Sequence, residues 1–197
     1  MSHNFPTIIS FYTDTWEYKK HSERLAMECE KLGLDFVIKE YPSAGSWIDN
    51  TRIKPSFIYE TIKELQRPVL WLDVDASIYK LPLELRLPVE YDFMGVHQRT
   101  GPCRNWHVGT MFFNYSDRIV NLLEKWIEVS KSGTDEANFE NVWKKYAKEY
   151  QITTKELPLN YYCIPQANYN NLSNPVITHR LSACESKRKL KSGGLIL

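Results

Sequence analysis

The first 75 residues alternate between short apolar runs and longer amphipathic segments, a pattern typical of strands separated by helices. Strands are predicted over Thr7–Tyr12, which is rich in strand-forming residues, and over Leu34–Tyr41, which alternates apolar and polar residues. Asp14 followed by Glu17 is typical of a helix start, and a second helix is predicted over Lys54–Gln66. This β-α-β-α order, closed by another apolar run, predicts a largely parallel sheet covered by helices.

That closing run, Val69–Leu72, leads directly into Asp73 and Asp75. Its unbroken apolar character predicts a strand that is buried on both faces and extends to Asp75, with the carboxylates at the edge where open α/β sheets bind ligands. Residues i and i+2 of a strand share a face about 6–7 Å apart, so both carboxylates could hold one cation. Without a cation the two charges would repel each other. The alternative is a pair of solvated acids at a strand end.

The rest of the chain is predicted to complete one domain. Residues 81–88 are irregular, and residues 97–107 form a loop between two strands. The further predicted elements are strands Tyr91–Val96 and Val108–Tyr115, helices Ser116–Lys131 and Thr134–Tyr150, and a short strand Pro175–Thr178 that delivers His179 to a loop. The fold class expected from this series is α/β, with a mixed, mostly parallel sheet flanked by helices.

Composition adds limits to this picture. At 197 residues, 43% of them hydrophobic, the chain is long enough for one domain with a substantial core. The formal net charge of +1 gives no global signature of a nucleic-acid or membrane binder. We expect a domain over residues 1–184 and a basic tail over 185–197, where four basic residues stand against Glu185 alone. Such a tail is either a solvated terminus or an arm for phosphates.

The cysteines and the apolar runs bear on location. The four cysteines are widely spaced and form no CxxC pair, so we expect free thiols and neither a zinc ribbon nor a disulfide framework. No apolar run approaches the roughly 20 residues of a membrane span, and no basic start precedes an apolar segment. A reducing cytoplasm is the expected compartment.

Missing motifs narrow the chemistry. The sequence has no dinucleotide-binding G-x-G-x-x-G after the first strand, no P-loop, no G-x-S-x-G and no H-E-x-x-H. One remaining interpretation is a haloacid-dehalogenase-like phosphatase with Asp73 as nucleophile, since Asp73, Asp75 and Ser77 satisfy its first motif superficially. That motif normally lies on the first strand, whereas here a β-α-β-α segment precedes it.

A second interpretation rests on an ordered series of short motifs over nearly the whole chain. The matching segments are Phe11-Tyr12-Thr13, Lys54-Pro55, Val69–Asp75 with its DxD, Gly109–Asn114 as G-x-x-x-x-N, Asp135-Glu136, Leu157–Tyr161 and Val176–His179. The series resembles small GT-A-type nucleotide-diphospho-sugar transferases, the group that includes the retaining family-eight enzymes. This resemblance implies a GT-A-like, Rossmann-like fold and transfer of a sugar from a nucleoside diphosphate, most simply UDP, to a hydroxyl with retention of configuration.

The resemblance also implies a metal site. Asp75 would be a direct ligand, Asp73 a ligand or a ribose contact, and His179 the residue that completes the coordination shell. Oxygen ligands suit Mn²⁺ and Mg²⁺ alike, whereas an imidazole favours Mn²⁺. By itself a histidine after a strand would be an ordinary loop residue.

Donor and catalytic residues follow from the same resemblance. Tyr12 and Thr13 would contact the nucleobase, and Lys54 and Asn160 the rest of the donor. Asp135 and Glu136 would face the sugar and the acceptor as the catalytic pair. Most of these residues also have a purely structural interpretation. Tyr12 could be a core aromatic residue, Lys54 a surface lysine and Asn160 a turn residue. Asp135 and Glu136 could simply stabilise the start of a helix through its dipole.

The acceptor side is the least defined. Arg99, Arg104, Trp106 and His107 make the segment 97–107 cationic and capable of stacking, although an ordinary solvated loop would look the same. With the basic tail, this segment would suit an anionic acceptor. The expected acceptor is a glycan or a hydroxymethylated base in DNA, which would have to be reached or flipped. A non-catalytic binder of nucleotide sugars or nucleic acid is the remaining alternative.

Overall fold

The computed structural model describes residues 4–14, 16–97, 105–165 and 173–180. The strands in this part of the chain are β1 (Thr7–Thr13), β2 (Phe36–Tyr41), β3 (Val69–Leu72), β4 (Ser77–Ile78), β5 (Phe93–His97), β6 (Trp106–Phe113), β7 (Thr154–Glu156) and β8 (Ile177–Thr178). The α-helices are α1 (Trp16–Leu32), α2 (Trp47–Thr51), α3 (Lys54–Leu65), α4 (Asp117–Val129) and α5 (Asp135–Tyr146). Leu83–Leu85 and Leu159–Tyr161 form 3₁₀ turns.

The main sheet has six strands among the described residues, in the order β2-β1-β3-β6-β5-β7. β1 pairs in parallel with β2 and β3, and β5 pairs in parallel with β7. β6 lies between β3 and β5 and is antiparallel to both, so it alone of the six runs in the opposite direction. The predicted α/β class with a mixed, mostly parallel sheet in a single domain is confirmed.

The central strands β1, β3 and β6 are buried on both faces because two apolar clusters cover them. One contains Trp71 of β3 and packs under α3, α4 and α5, with Trp126 and Phe139 fully enclosed. The other contains Leu70 of the same strand and packs under α1. All four residues of β3 are buried, which explains the unbroken apolar run. Each large side chain enclosed in this way contributes roughly 1.5–3 kcal/mol to folding.

The prediction that the third strand continues to Asp75 is wrong. β3 ends at Leu72, and the following residues form a turn in which the Ala76 N–H donates to the Asp73 carbonyl at 2.9 Å. This turn redirects the chain into β4, which pairs with β8 and not with the main sheet. Aspartate favours turns, so the residues that end the strand are also those that carry the carboxylates. The two side chains are therefore brought together by a turn instead of by the period of a strand.

Other boundaries also differ. Trp47–Thr51 is a short helix between the predicted strand Leu34–Tyr41 and the predicted helix Lys54–Gln66, and the Ser46 side chain accepts from the Asp49 N–H as its cap. β7 was not predicted, since its three residues are exposed and polar and its pairing with β5 has no hydrophobic signature. The predicted helix over Thr134–Tyr150 ends at Tyr146.

Trp106 and His107 belong to β6, so the predicted loop over residues 97–107 is too long at both ends. The Trp106 ring lies 5.2 Å from the ring of Phe93 and is buried in the core, which draws these positions into the sheet.

Three further expectations concern the cysteines, membrane-spanning helices and the basic tail. Cys29 and Cys163 are buried, and neither forms a disulfide among the described residues. Among the helices described, none combines the length and the apolar character needed to cross a membrane. The proposed boundary at residue 184 and the basic tail lie outside the described residues and stay predictions.

Candidate active site

A cavity of about 420 Å³ opens where β1 and β3 end, at the carboxyl edge of the parallel strands. Its walls come from these strand ends, from α2, the starts of α3 and α5, and the first half of β6. Nine of the residues singled out from the sequence line it: Tyr12, Thr13, Lys54, Asp73, Asp75, His107, Asp135, Glu136 and His179. The fold therefore gathers residues that are up to 167 positions apart, from Tyr12 to His179, around one space.

Two carboxylates and an imidazole converge on one side of this cavity. Asp73, Asp75 and His179 each offer a ligand atom, and these atoms lie within 4.8 Å of one another. His179 Nδ1 is 4.0 Å from Asp75 Oδ1. Two oxygen donors and one nitrogen donor at this spacing fit a divalent cation such as Mn²⁺ or Mg²⁺.

The hydrogen bonds of Thr110 assign the tautomer of His179. The Thr110 hydroxyl donates to the Tyr161 carbonyl at 3.1 Å and lies 2.7 Å from His179 Nε2. A hydroxyl has a single proton, so here it must accept from Nε2–H. Nδ1 then carries the lone pair and faces Asp75, as a metal ligand requires. Burial, with a smaller contribution from the charge of Lys54, lowers the pKa of His179 to about 3 and keeps the ring neutral.

Gly109 keeps this cluster open. A Cβ at this position would lie 2.8 Å from Tyr162 Cε2, 3.0 Å from Asp73 Oδ2 and 3.1 Å from His179 Cε1. The Gly109 carbonyl also accepts from the Asp73 N–H at 3.0 Å, which ties the start of the turn to β6. Only glycine therefore fits here without displacing groups of the candidate metal site.

Lys54 is buried beneath the cluster and joins two carboxylates. Its Nζ lies 2.9 Å from Asp73 Oδ1 and 2.5 Å from Asp135 Oδ2, and it donates to the Val108 carbonyl at 3.2 Å. Burial alone would lower the pKa of this ammonium, but the charges of Asp135 and Asp73 outweigh it and the net shift is upward. Lys54 therefore stays protonated, and Asp73 and Asp135 belong to one ion-paired unit.

A stack of three rings lies beside this unit. The Tyr162 ring stands between the imidazoles of His107, at 3.9 Å, and His179, at 4.3 Å between centroids. Burial is the main reason that the pKa of His107 falls to about 4, and the charges of His179 and His97 lower it further. Burial and the nearby carboxylates raise the pKa of Tyr162 well above its usual value, so the phenol stays neutral. The stack limits how far the His179 ring can rotate.

Asp135 and Glu136 open α5, but the helix start does not need them as a cap. The Thr134 hydroxyl already accepts from the Ala137 N–H at 3.3 Å. Burial, followed by the charge of Asp135, raises the pKa of Glu136. Two acids that face a cavity in addition to a satisfied cap indicate a role beyond helix stability.

The remaining side of the cavity is open. Tyr12 is half-buried at the end of β1, and its hydroxyl donates to Glu40 Oε2 at 2.9 Å. Trp47 of α2 is 46% exposed, and Arg180, directly after His179, is exposed at the mouth. These residues offer aromatic surface and one positive charge to a ligand that enters the cavity.

Four predicted site residues are placed elsewhere or are not described. Asn160 does not line the cavity, and its amide donates to the Asn174 carbonyl at 3.5 Å. Trp106 is a core residue, so its predicted place on an exposed acceptor loop is wrong. Arg99 and Arg104 lie outside the described residues.

Sequence reasoning missed residues that support the site. Gly109 and Thr110 lay within a recognised motif, yet no sequence signal assigned them to the histidine or to the turn. Arg24 of α1 had no signal at all, although its Nη2 donates to the carbonyls of Asp75 and Ala76 at 3.0 and 2.9 Å and so fixes the turn. Arg180 could have been suspected only from its position next to His179.

Comparison with solved structures identifies the fold. A glycosyltransferase involved in the glycosylation of the major capsid of PBCV-1 superimposes with a TM-score of 0.70 at 13% identity, over 96% of this chain and 100% of that one. The glycosyltransferase GlyE of Streptococcus pneumoniae TIGR4 matches with a TM-score of 0.59 at 12% identity, over 88% of this chain and 54% of its own. The apo form of GlyE matches with a TM-score of 0.61 at 13% identity, over 89% of this chain and 54% of the GlyE chain.

This chain therefore spans about half the length of GlyE. At such low identities the likeness establishes the fold alone, and the expected GT-A-type fold is confirmed. No protein-family model and no curated protein matches the sequence.

Proposed function

We propose that this protein is a metal-dependent glycosyltransferase that moves a sugar from a nucleoside-diphosphate donor to a hydroxyl group. The observation that carries the proposal is the convergence of Asp73, Asp75 and His179 in a cavity at the carboxyl edge of a GT-A-type sheet. Carboxylates gathered at this edge are positioned to hold a cation against a diphosphate. UDP is the first candidate for the nucleotide, and retention of configuration is the expected stereochemistry.

Asp73, Asp75 and His179 would hold Mn²⁺ or Mg²⁺, and the imidazole favours Mn²⁺. When bound, such a cation offsets the negative charge that develops on the departing diphosphate. The chain's own contribution is orientation. Thr110 fixes the tautomer of His179, and Arg24 holds the turn that presents Asp75. A site built in this way needs little rearrangement when its ligands bind.

Donor recognition is assigned to the open side of the cavity. Tyr12 and Thr13 end β1 there, Trp47 adds an exposed aromatic face, and Arg180 adds a positive charge suited to phosphate oxygens. Lys54 contributes positive charge from below. Asn160 is retained only as a donor contact that would require its side chain to turn from Asn174.

Asp135 and Glu136 are assigned to the sugar and the acceptor hydroxyl. Both line the cavity; Asp135 is ion-paired with Lys54, whereas burial raises the pKa of Glu136. One acid is therefore suited to stabilise positive charge and the other to exchange a proton.

The acceptor is proposed to be a glycan, with a hydroxymethylated DNA base as the second candidate. The PBCV-1 neighbour, which is involved in the glycosylation of the major capsid, supports a glycan acceptor. The DNA candidate rests on Arg99, Arg104 and the basic tail, all outside the described residues. His107 lines the cavity and remains the acceptor-side residue with a defined position.

The proposal is tested by calorimetric binding of UDP, GDP, CDP, ADP and dTDP, each with Mn²⁺ and with EDTA. We expect selective binding of one diphosphate, lost with EDTA and at least tenfold weaker in Asp75→Asn, since a ligand carboxylate is replaced by a neutral amide. Asp117→Asn is the matched control, because Asp117 is exposed on α4 and does not line the cavity. The matching sugar nucleotide is then tested with glycan acceptors and hydroxymethylated DNA, and NMR reports the anomeric configuration.

Other outcomes point to the alternatives. Absence of metal-dependent binding to all five nucleotides would overturn the transferase proposal and make hydrolysis of phosphate esters by Asp73 the next assay. Binding without turnover of the donor, even by hydrolysis, would indicate a non-catalytic binder.

A further inference from the structure

Lys54 has no N–H group left for a substrate in the arrangement that the structure shows. An ammonium carries three N–H donors, and the three acceptors around Nζ are Asp135 Oδ2, Asp73 Oδ1 and the Val108 carbonyl. The side chain is 4% exposed, and the Trp71 ring lies beside it with its centroid 5.3 Å from Nζ. The ammonium group of Lys54 is thus enclosed by protein atoms.

The position of Lys54 would be unfavourable for a positive charge without the two carboxylates that pair with it. Lys54 is the first residue of α3, and the positive end of a helix dipole disfavours a cation there. Burial of an ammonium is costly unless it is paired and hydrogen-bonded. Asp73 and Asp135 meet that need together, one in the candidate metal cluster and the other at the start of α5.

We propose that Lys54 is a positioning residue that couples the metal-site carboxylate of Asp73 to Asp135, so that the cation ligand and the acid facing the sugar are held as one unit. This inference rests on the proposed function and assigns Lys54 an indirect role in place of a direct contact with the donor. Its consequence is that a change at Asp135, which lies outside the Asp73–Asp75–His179 cluster, alters cation binding through Lys54. When Asp135 is lost, the ammonium pairs more fully with Asp73 and competes with the cation for that carboxylate.

The test is Mn²⁺ titration by electron paramagnetic resonance without nucleotide. We expect Asp135→Asn to weaken Mn²⁺ binding at least threefold more than Glu136→Gln does. Glu136 is the matched control because it is the neighbouring acid, lines the same cavity and has no ion pair with Lys54 among the contacts described. Both variants replace an acid that lines the same cavity by its amide, so a purely through-space effect of the lost carboxylate would weaken binding to a similar degree. Equal weakening would overturn the inference.

A double-mutant cycle sharpens the test. In a Lys54→Met background the extra effect of Asp135→Asn should fall to the level of Glu136→Gln, so the two substitutions depart from additivity by at least threefold. If the Mn²⁺ affinity of the double mutant lies within threefold of the value expected from the two single effects, the coupling is contradicted. Lys63→Met, an exposed lysine on the same helix, controls for the substitution itself. Where Lys54→Met does not fold, the comparison of Asp135→Asn with Glu136→Gln decides alone.

The two proposals fail in different ways. A wild-type protein that does not bind Mn²⁺ would argue against the proposed metal-dependent function. If the wild type binds Mn²⁺ and the two variants Asp135→Asn and Glu136→Gln weaken that binding equally, the proposed function stands and only the role of Lys54 is removed.

Discussion

The two sides of the cavity differ in how firmly their polar groups are held. The buried wall has its charged and polar atoms bound to protein partners; it consists of Lys54, Thr110, Asp135 and His179. The open rim is half-buried or exposed and leaves aromatic and cationic surface at the mouth; it consists of Tyr12, Trp47, Asn50, Thr51 and Arg180.

This difference separates two tasks. Groups of the buried wall are oriented before any ligand arrives, as stabilisation of developing charge requires. They are also costly to change, because a buried partner left without its hydrogen bond destabilises the fold by about 1–3 kcal/mol. The open rim has few such constraints, so it can determine which ligand is bound without affecting stability. The predictions below test whether the two sides are separable in this way.

The largest effect is expected at the floor of the buried wall, in Gly109→Ala. The added Cβ would lie 2.8–3.1 Å from Tyr162, Asp73 and His179, so the candidate ligands must move. We expect Mn²⁺ affinity to fall about 10- to 100-fold and the free energy of unfolding to fall by about 1–3 kcal/mol. Mn²⁺ titration and urea unfolding measure the two quantities.

The control for this substitution is Gly95→Ala in the adjacent strand β5. Its Cβ would lie 3.0 Å from Phe93 and 3.3 Å from Trp106, away from the cluster. We expect Gly95→Ala to lower the free energy of unfolding by a similar amount and to leave the Mn²⁺ affinity unchanged. Equal Mn²⁺ affinity in Gly109→Ala and the wild type would refute the role of Gly109.

A smaller effect is expected from the neutral histidines of this region when the pH falls. Burial lowers the pKa of His179 to about 3 and of His107 to about 4, whereas an unfolded histidine titrates near 6.5. Between these values the unfolded chain binds protons that the folded chain does not. This contribution to the free energy of unfolding is therefore complete only above the unfolded pKa, and it falls by about 2 kcal/mol per histidine from pH 7 to pH 5.

Urea unfolding at pH 7, 6 and 5 in EDTA measures this dependence. His107→Gln should remove the share of one histidine, about 2 kcal/mol over the same range, whatever its effect on stability at pH 7. An unchanged pH dependence in this variant would show that His107 is not held neutral by the fold.

The smallest effect on the fold is expected at the open rim, in Trp47→Ala. Trp47 is 46% exposed on a helix with no buried residue, so the free energy of unfolding should change by no more than about 0.5 kcal/mol. Mn²⁺ affinity should not change, whereas the diphosphate that binds the wild type should bind about 2- to 10-fold more weakly through the loss of aromatic contact. Tyr79→Ala is the control, since Tyr79 is 60% exposed and does not line the cavity. Unaltered nucleotide affinity in Trp47→Ala would place the donor elsewhere.

The buried parts of the molecule could be read from the sequence because burial leaves a periodic signal. β1, β3, α3 and α4 were predicted within a few residues. β7 could not be predicted, since its exposed residues pair with β5 through backbone alone. The turn after Leu72 was missed because an apolar run does not show where a strand stops pairing.

The candidate site divides in the same way. Asp73, Asp75 and His179 were recognised because motifs carry them, and the structure brings them together. The contacts of Lys54 with Asp135 and of Thr110 with His179 span 81 and 69 residues, and no local pattern encodes such pairings. Arg24 reaches the turn from a helix whose sequence shows only an amphipathic surface.

The reversed direction of β6 has a consequence for how such a protein can diversify. β5 ends at His97 and β6 begins at Trp106, so both attachment points of the intervening segment lie at the sheet edge that carries the cavity. The two strands are held by their own ladder and by the ring contact between Phe93 and Trp106. The two anchor points at His97 and Trp106 are thus fixed independently of the sequence between them. Under the proposed function, a change in the length or charge of that sequence would alter acceptor selection and leave the residues that would hold the cation in place.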